Sequence, residues 1–179
     1  MPQIEIRHAI SSDIPILVKI DPHCATTHVW QMDYSDEPGQ IGVIFREIRL
    51  PRSVRLDYPR SLTSMPDTWL NKSLFLVAAM EDQLVGFLTL ETDAETKTAT
   101  ISDLVVTDKV RRQGIATALI FAAHEWAAGR KYKRMMLEMQ AKNHAGINLA
   151  RKLGYDFCGF NDHYFANHDI AVFFTYILK

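Results

Sequence analysis

Cysteine is nearly missing from this chain. Cys24 and Cys158 are the two present, far apart and without the C-x-x-C spacing of metal or redox sites. Two free thiols fit a reducing compartment, and the cytoplasm is the expected location. No apolar run is long enough to span a membrane, and MPQIEIRHAI has no signal-peptide profile, so no membrane association is expected. An excess of one charge is missing too. Twenty Lys and Arg against 21 Asp and Glu leave a net charge of -1, which argues against nucleic acid as a partner. There is no repeat, low-complexity tract or linker. What remains is ordinary for a globular protein: 179 residues, 47% apolar and 23% charged, forming one domain with a substantial core.

The chain opens with an alternating strand, Ile4 to Arg7, and then a short helix. That helix has Ser11-Ser12-Asp13 as capping residues and Ile14, Leu17, Val18 and Ile20 as its stripe. Ala25 to Tyr34 is read as a second short helix, Asp36 to Gly39 as a turn and Ile41 to Leu50 as a strand. Arg46, Arg49, Arg52 and Arg55 recur every third residue, but Pro51 forbids one helix through them. They form either a solvated rim or contacts to an acidic group. Tyr58, beside Pro59, is either a substrate contact or packing. From Leu74 the pattern is a β-meander, LFLVAAM, LVGFLTLE and TATISDLVV, joined by polar turns. A helix from Gly114 to Ala128, stopped by Gly129 in a left-handed conformation, precedes the strand MMLEM. A second helix from Asn143 to Leu153 stops at Gly154. Tyr155 to Phe160 and Ala171 to Leu178 close the fold, and AVFFTYIL is a strand that could pair across a homodimer.

The most informative stretch is Ile101 to Ala128. A β-branched strand runs into the basic loop Asp108-Lys109-Val110-Arg111-Arg112-Gln113, closed by Gly114, and then into an alanine-rich helix. Loop and first-turn amides lack partners in the chain, and the helix dipole adds positive charge, so the place suits a phosphate. Gly114 and the small Ala116 allow close backbone approach. The pattern Arg111-x-x-Gly114-x-Ala116 is neither a Rossmann fingerprint nor a P-loop. It resembles the [Q/R]-x-x-G-x-[G/A] motif of the GNAT superfamily of acetyl-CoA-dependent N-acetyltransferases. A second stretch, Glu138 to Tyr155, resembles that superfamily's N-x-x-A-x-x-L-Y-x-K-x-G-F pattern through Asn143 and Lys152-Leu153-Gly154-Tyr155. Within the superfamily the chain is loosely similar to streptothricin acetyltransferases, through Glu138-Met139-Gln140 and the run from Arg46 to Tyr58. Ribosomal-protein N-terminal acetyltransferases share Glu138 in the same register.

The resemblance implies an α/β (α+β) fold: a mixed, mostly antiparallel sheet of about seven strands flanked by helices. It also divides the single domain 1–179 into a substrate-variable part, 1–72, and an acetyl-CoA-binding core, 73–179. The co-substrate would be held by Leu104, Val105, Val106, Arg111, Arg112, Gln113, Gly114, Ile115, Ala116, Thr117 and Asn143. The amide of Val105 or Val106 would be the oxyanion donor. Asn143 would bond the pantetheine arm or order the strand end. The implied reaction is acetyl transfer to a primary amine of a small molecule, or alternatively to a protein N-terminus. Glu138 is the first candidate base, with Asp103 and Glu91 behind it, and Asp103 and Tyr58 are candidate substrate contacts.

The chain departs from the family at Ala150, where a tyrosine often protonates the departing thiolate. A thiol of pKa about 8.5 leaves readily, so a slow enzyme survives the loss. Tyr164 or Tyr58 is a substitute acid, and the other reading is a non-catalytic acyl-CoA sensor. His23, His28, His124, His144 and His168 show no ligand spacing, and no metal is expected.

Overall fold

The computed structural model describes residues 3–179. Strand β1 is Ile4–His8 and helix α1 is Ile14–Leu17. A long hairpin follows, β2 Cys24–Glu37 and β3 Gln40–Leu56, and then a short helix α2, Met65–Thr68. The meander is β4 Leu74–Met80, β5 Gln83–Asp93 and β6 Thr98–Val106. Helix α3 is Ile115–Gly129, β7 Arg134–Gln140, α4 His144–Lys152, β8 Asp156–Asn161 and β9 Ala171–Ile177. Seven strands form one sheet in the order β1-β4-β5-β6-β7-β9-β8, while β2 and β3 pair only with each other. Every neighbour in the large sheet is antiparallel except β6 and β7. The expected mixed, mostly antiparallel sheet with flanking helices is therefore present.

The central strands are buried on both faces, which is why they read as continuous apolar runs. On β4, Leu74, Leu76 and Ala78 join the main core under α3 and α4, while Phe75 and Val77 join a smaller core on the opposite face. The smaller core is completed by Phe87, Val105 and Met65, with Ile14 and Leu17 of α1. Ala123 and Ala127 are fully buried on α3, where a methyl side chain lets the helix lie close to the sheet.

Several local expectations are corrected. Ala25 to Tyr34 is strand β2, because its β-branched and aromatic residues (Thr26, Val29, Trp30) pair with β3. The strand expected over Ile41 to Leu50 continues to Leu56; pairing jumps from Thr26–Val54 to His28–Arg49, leaving Pro51 in an unpaired bulge. Helix α3 passes through Gly129. The left-handed residue is Lys131, with the N–H groups of Lys131 and Tyr132 closing onto the carbonyls of Ala128 and Ala127. Arg130 stacks on Trp126 at 4.1 Å, which favours the added residue. The C-terminal strand has no free edge: β9 lies between β7 and β8. Its backbone is saturated within the chain, so it cannot serve for dimer pairing.

Helix α1 is shorter than its apolar stripe, and Asp13 does not cap it with its side chain. The buried Asp13 carboxylate instead accepts two hydrogen bonds from Arg7, at 2.6 and 2.9 Å, and one from the Ile10 amide. The Arg7 hydrogen bonds hold the carboxyl below the usual aspartate range despite its burial. Because folding lowers this pKa, the stabilisation is complete above the unfolded value of ~3.9 and is lost as pH falls through the folded value. Asp13→Asn should cost about 1.5–3 kcal/mol at neutral pH. In urea titrations, the difference from the native protein should shrink to nothing in strong acid.

Candidate functional site

The site begins with a register irregularity. Thr89 of β5 pairs with Asp103 and Leu90 with Ile101, so Ser102 is an extra residue that bulges β6. On its other side, parallel pairing with β7 ends at Ile101–Leu137. Beyond that point β6 follows β5, β7 follows β9, and a cleft opens between them. Thr107 donates its N–H to Val85 of β5 at 2.8 Å. By strand alternation the Val105 amide also faces β5, opposite Phe87, whereas Leu104 and Val106 turn their backbone groups to the cleft. Of the two amides proposed from sequence, Val106 alone faces the opening, joined by Leu104. Gly86 is needed beside this edge, since a Cβ there would meet the Val105 carbonyl oxygen at 2.6 Å.

The anion loop lies at the carboxyl end of β6. A single 3-10 turn, Asp108–Val110, precedes it. Arg112 and Gly114 then adopt left-handed φ values of 63° and 86°, backbone conformations of the kind from which anion-binding nests are built. Gly114 caps α3 without a side chain, so the amides of Ile115, Ala116 and Thr117 gain no side-chain acceptor. Nothing lies within 4 Å of a Cβ built on Gly114, which leaves the cradle open. This geometry fits a pyrophosphate. Arg111, however, donates from Nε to the Val106 carbonyl and from an Nη to the His23 carbonyl, both at 2.8 Å. It therefore ties the loop to the N-terminal part of the chain and contributes its charge indirectly. Arg112, Gln113 and Lys109 are exposed. Gly114→Ala should add about 1–2 kcal/mol of left-handed strain. It should also weaken coenzyme A binding, read by calorimetry alongside the thermal midpoint.

Asn143 is engaged in the fold: its side-chain oxygen accepts the Gly146 amide at 2.9 Å and caps α4. This helix cap is neither of the two roles expected from sequence, bonding the pantetheine arm or ordering the strand end. Ala150 is completely buried in the main core and offers the cleft no group.

The face of the sheet opposite α3 and α4 carries the polar cluster. Asp103 on β6 and Glu138 on β7 are nearly buried, with side chains 10% and 7% exposed. Asp103 accepts from Tyr58 Oη and, at 2.7 Å, from Thr89 Oγ1. Burial, and then the charge of Asp103, push the Tyr58 phenol well above its ordinary pKa, so Tyr58 remains a donor. Glu138 Oε1 pairs with Arg60, and Oε2 accepts from Tyr164 Oη at 3.0 Å. Arg60 also donates to the Ser102 carbonyl at 2.7 Å and lies 3.8 Å from Asp103. A cavity of about 350 Å³ adjoins Arg60 and Asp103, with Ser61, Thr68, Trp69 and Thr89 among its walls.

Four residues expected from sequence thus meet: Glu138, Tyr164, Asp103 and Tyr58. Glu91 does not join them; it is paired with Lys72 at 2.5 Å at the surface. Arg46 and Arg55 pair with Asp33 and Asp21 on the outside. Arg60 is the functional candidate that sequence reading missed, since its partners lie 42 and 78 residues further along the chain. His28 stacks on His144, and His124 bonds Tyr155 at 2.5 Å. Among the described residues no group of three His, Cys, Asp or Glu is placed to hold a metal, and no helix is long and apolar enough to cross a membrane.

The site thus joins a splayed parallel strand pair, a glycine-opened loop at the carboxyl end of β6 and two nearly buried carboxylates. The chain belongs to the acetyltransferase (GNAT) family, whose profile matches residues 43–155. Searching curated protein sequences gave no match. Among solved structures, nourseothricin acetyltransferase aligns with a TM-score of 0.84 at 20% identity, covering 98% of this chain and 99% of that one. A Bacillus anthracis protein assigned as a streptothricin acetyltransferase, solved with acetyl coenzyme A, gives 0.75 at 20% identity, with 99% and 98% covered. The ribosomal-protein-S18-alanine N-acetyltransferase of Escherichia coli gives 0.69 at 16% identity, with 99% and 95% covered. At these identities the likeness is one of fold.

Proposed function

We propose that the protein transfers the acetyl group of acetyl-CoA to a primary amine of a small molecule by direct attack. The observation that carries this reading is the splaying of β6 from β7, with the left-handed loop at one end and Glu138 with Tyr164 beside it. Acetyl-CoA supplies an acyl group activated by a thiol leaving group. The amides of residues 112–116, with Thr117 in the first turn of α3, would hold the pyrophosphate. The Val106 or Leu104 N–H would meet the acetyl oxygen as negative charge develops on it. Glu138 would take the amine proton, directly or through water, and the Tyr164 hydroxyl would serve the departing thiolate. Asp103 and Tyr58 would line the acceptor side.

The division into 1–72 and 73–179 fits this scheme: the first part supplies Tyr58 and Arg60, the second the nest and both carboxylates. A small acceptor, of the antibiotic type named for two of the similar structures, would enter beside Arg60 and Asp103, where a cavity of about 350 Å³ opens. The test is free-thiol release from acetyl-CoA against streptothricin, lysine, polyamines and N-terminal peptides, after calorimetric confirmation of CoA binding. Release with peptides alone would favour N-terminal acetylation. CoA binding with no release would leave a non-catalytic acyl-CoA sensor, and no CoA binding would defeat both.

A further inference from the structure

Arg60 stands where the proposed reaction needs its acceptor. Both oxygens of Glu138 are taken, one by the Arg60 guanidinium and one by the Tyr164 hydroxyl. The guanidinium neutralises this carboxylate, so an incoming ammonium must compete with Arg60 for the charge of Glu138. Two nearly buried carboxylates face a single guanidinium here, so the cluster carries net negative charge. A buried carboxylate without a cation is costly, and the chain supplies one of its own. The guanidinium does not depend on Glu138 alone. It also holds the Ser102 carbonyl, lies 3.8 Å from Asp103 and sits over the Phe165 ring at 5.3 Å. The adjoining cavity gives it room to move.

We propose that Arg60 is a built-in stand-in for the acceptor's ammonium group, and that a cationic alkyl amine enters by displacing it from Glu138 toward Asp103. This rests on the reading of Glu138 as the proton acceptor. Once seated, the ammonium passes one N–H proton to the freed carboxylate oxygen, and the neutral amine is left facing the cleft. Neutral acceptors, which cannot replace the guanidinium's charge, are excluded, and the substrate class narrows to alkyl ammonium compounds, diamines among them.

The test uses Arg60→Ala and Arg60→Gln, with 1,4-diaminobutane and spermidine as probes. Gln keeps an N–H for the Ser102 carbonyl, and so protects the experiment if the alanine variant fails to fold. Removing the internal competitor should lower the amine KM about tenfold or more. CoA affinity should hold, and added guanidinium chloride should raise the KM again by competition. A KM that rises, and is brought down by guanidinium, would make Arg60 a positioning residue and overturn the proposal; an unchanged KM would overturn it too. If no thiol is released by any form, the acetyl-transfer reading fails separately. Calorimetry of spermidine then decides: tighter binding by the folded variant sustains the stand-in, and equal or weaker binding sinks it.

Discussion

Glu138→Gln should lower kcat for an alkyl amine by about 10²–10⁴-fold, the usual worth of a positioned base. The substitution is nearly isosteric, and the amide oxygen can still accept from Tyr164 or Arg60, so the cleft keeps its shape. Coenzyme A affinity should be unchanged, because the nest lies at the end of β6 and Glu138 is on β7. The loss should depend on the acceptor. A lysine-type amine of pKa about 10.4 is neutral in only about one molecule in a few thousand at pH 7, an α-amine near 8 in roughly one in ten. Alkyl amines should therefore suffer more, and raising the pH should recover part of their rate. Steady-state kinetics from pH 6 to 10 would show this. Equal rates for both enzymes with a lysine-type amine would remove Glu138 as the base.

The largest loss of stability is expected at Phe87. Its side chain is completely buried on β5, 5.6 Å from the Phe75 ring, within the core that also contains Val105. Phe87→Ala should cost about 3–5 kcal/mol, lost transfer energy plus the cavity left behind. The urea midpoint should fall with little change in slope. The residue lies directly across from Val105, two positions from Asp103, so the damage should reach the cleft as a lower kcat/KM. A cost below about 1 kcal/mol would mean that the site collapses around the deletion.

The meander, the loop between β6 and α3, and both helices of the main core were legible because each is announced locally. Their signals are period-two alternation, a polar turn, a glycine between strand and helix. The hairpin β2–β3 was only half legible. Its first strand mixes helix and strand preferences over Ala25 to Tyr34, and only the partner strand settles the matter. Edge and interior positions were not legible at all, so β9 looked available when two neighbours already hold it. In the site, Glu138 and Asp103 could be picked out as acids on adjacent strands. Tyr58 and Tyr164 could be picked out too, but not as their partners, and Arg60 could not be picked out at all, because its irregular segment takes a course that depends on the whole fold. Arg111 shows the converse. Its charge suggested an anion, yet two of its donors are held by backbone carbonyls within the chain.

The interior place of β9 has a consequence for biosynthesis. Strand β7, which carries Glu138, lacks one of its two neighbours until Ala171–Ile177 has left the ribosome. Since domains are made N-terminus first at about 5–20 residues per second, a nascent chain waits with the open edge of β7 uncovered. Tyr164, which reaches Glu138 from the loop before β9, is fixed no earlier. Translation that stops short of residue 171 would leave an exposed apolar strand edge, a substrate for chaperones and a seed for aggregation rather than a weakened enzyme.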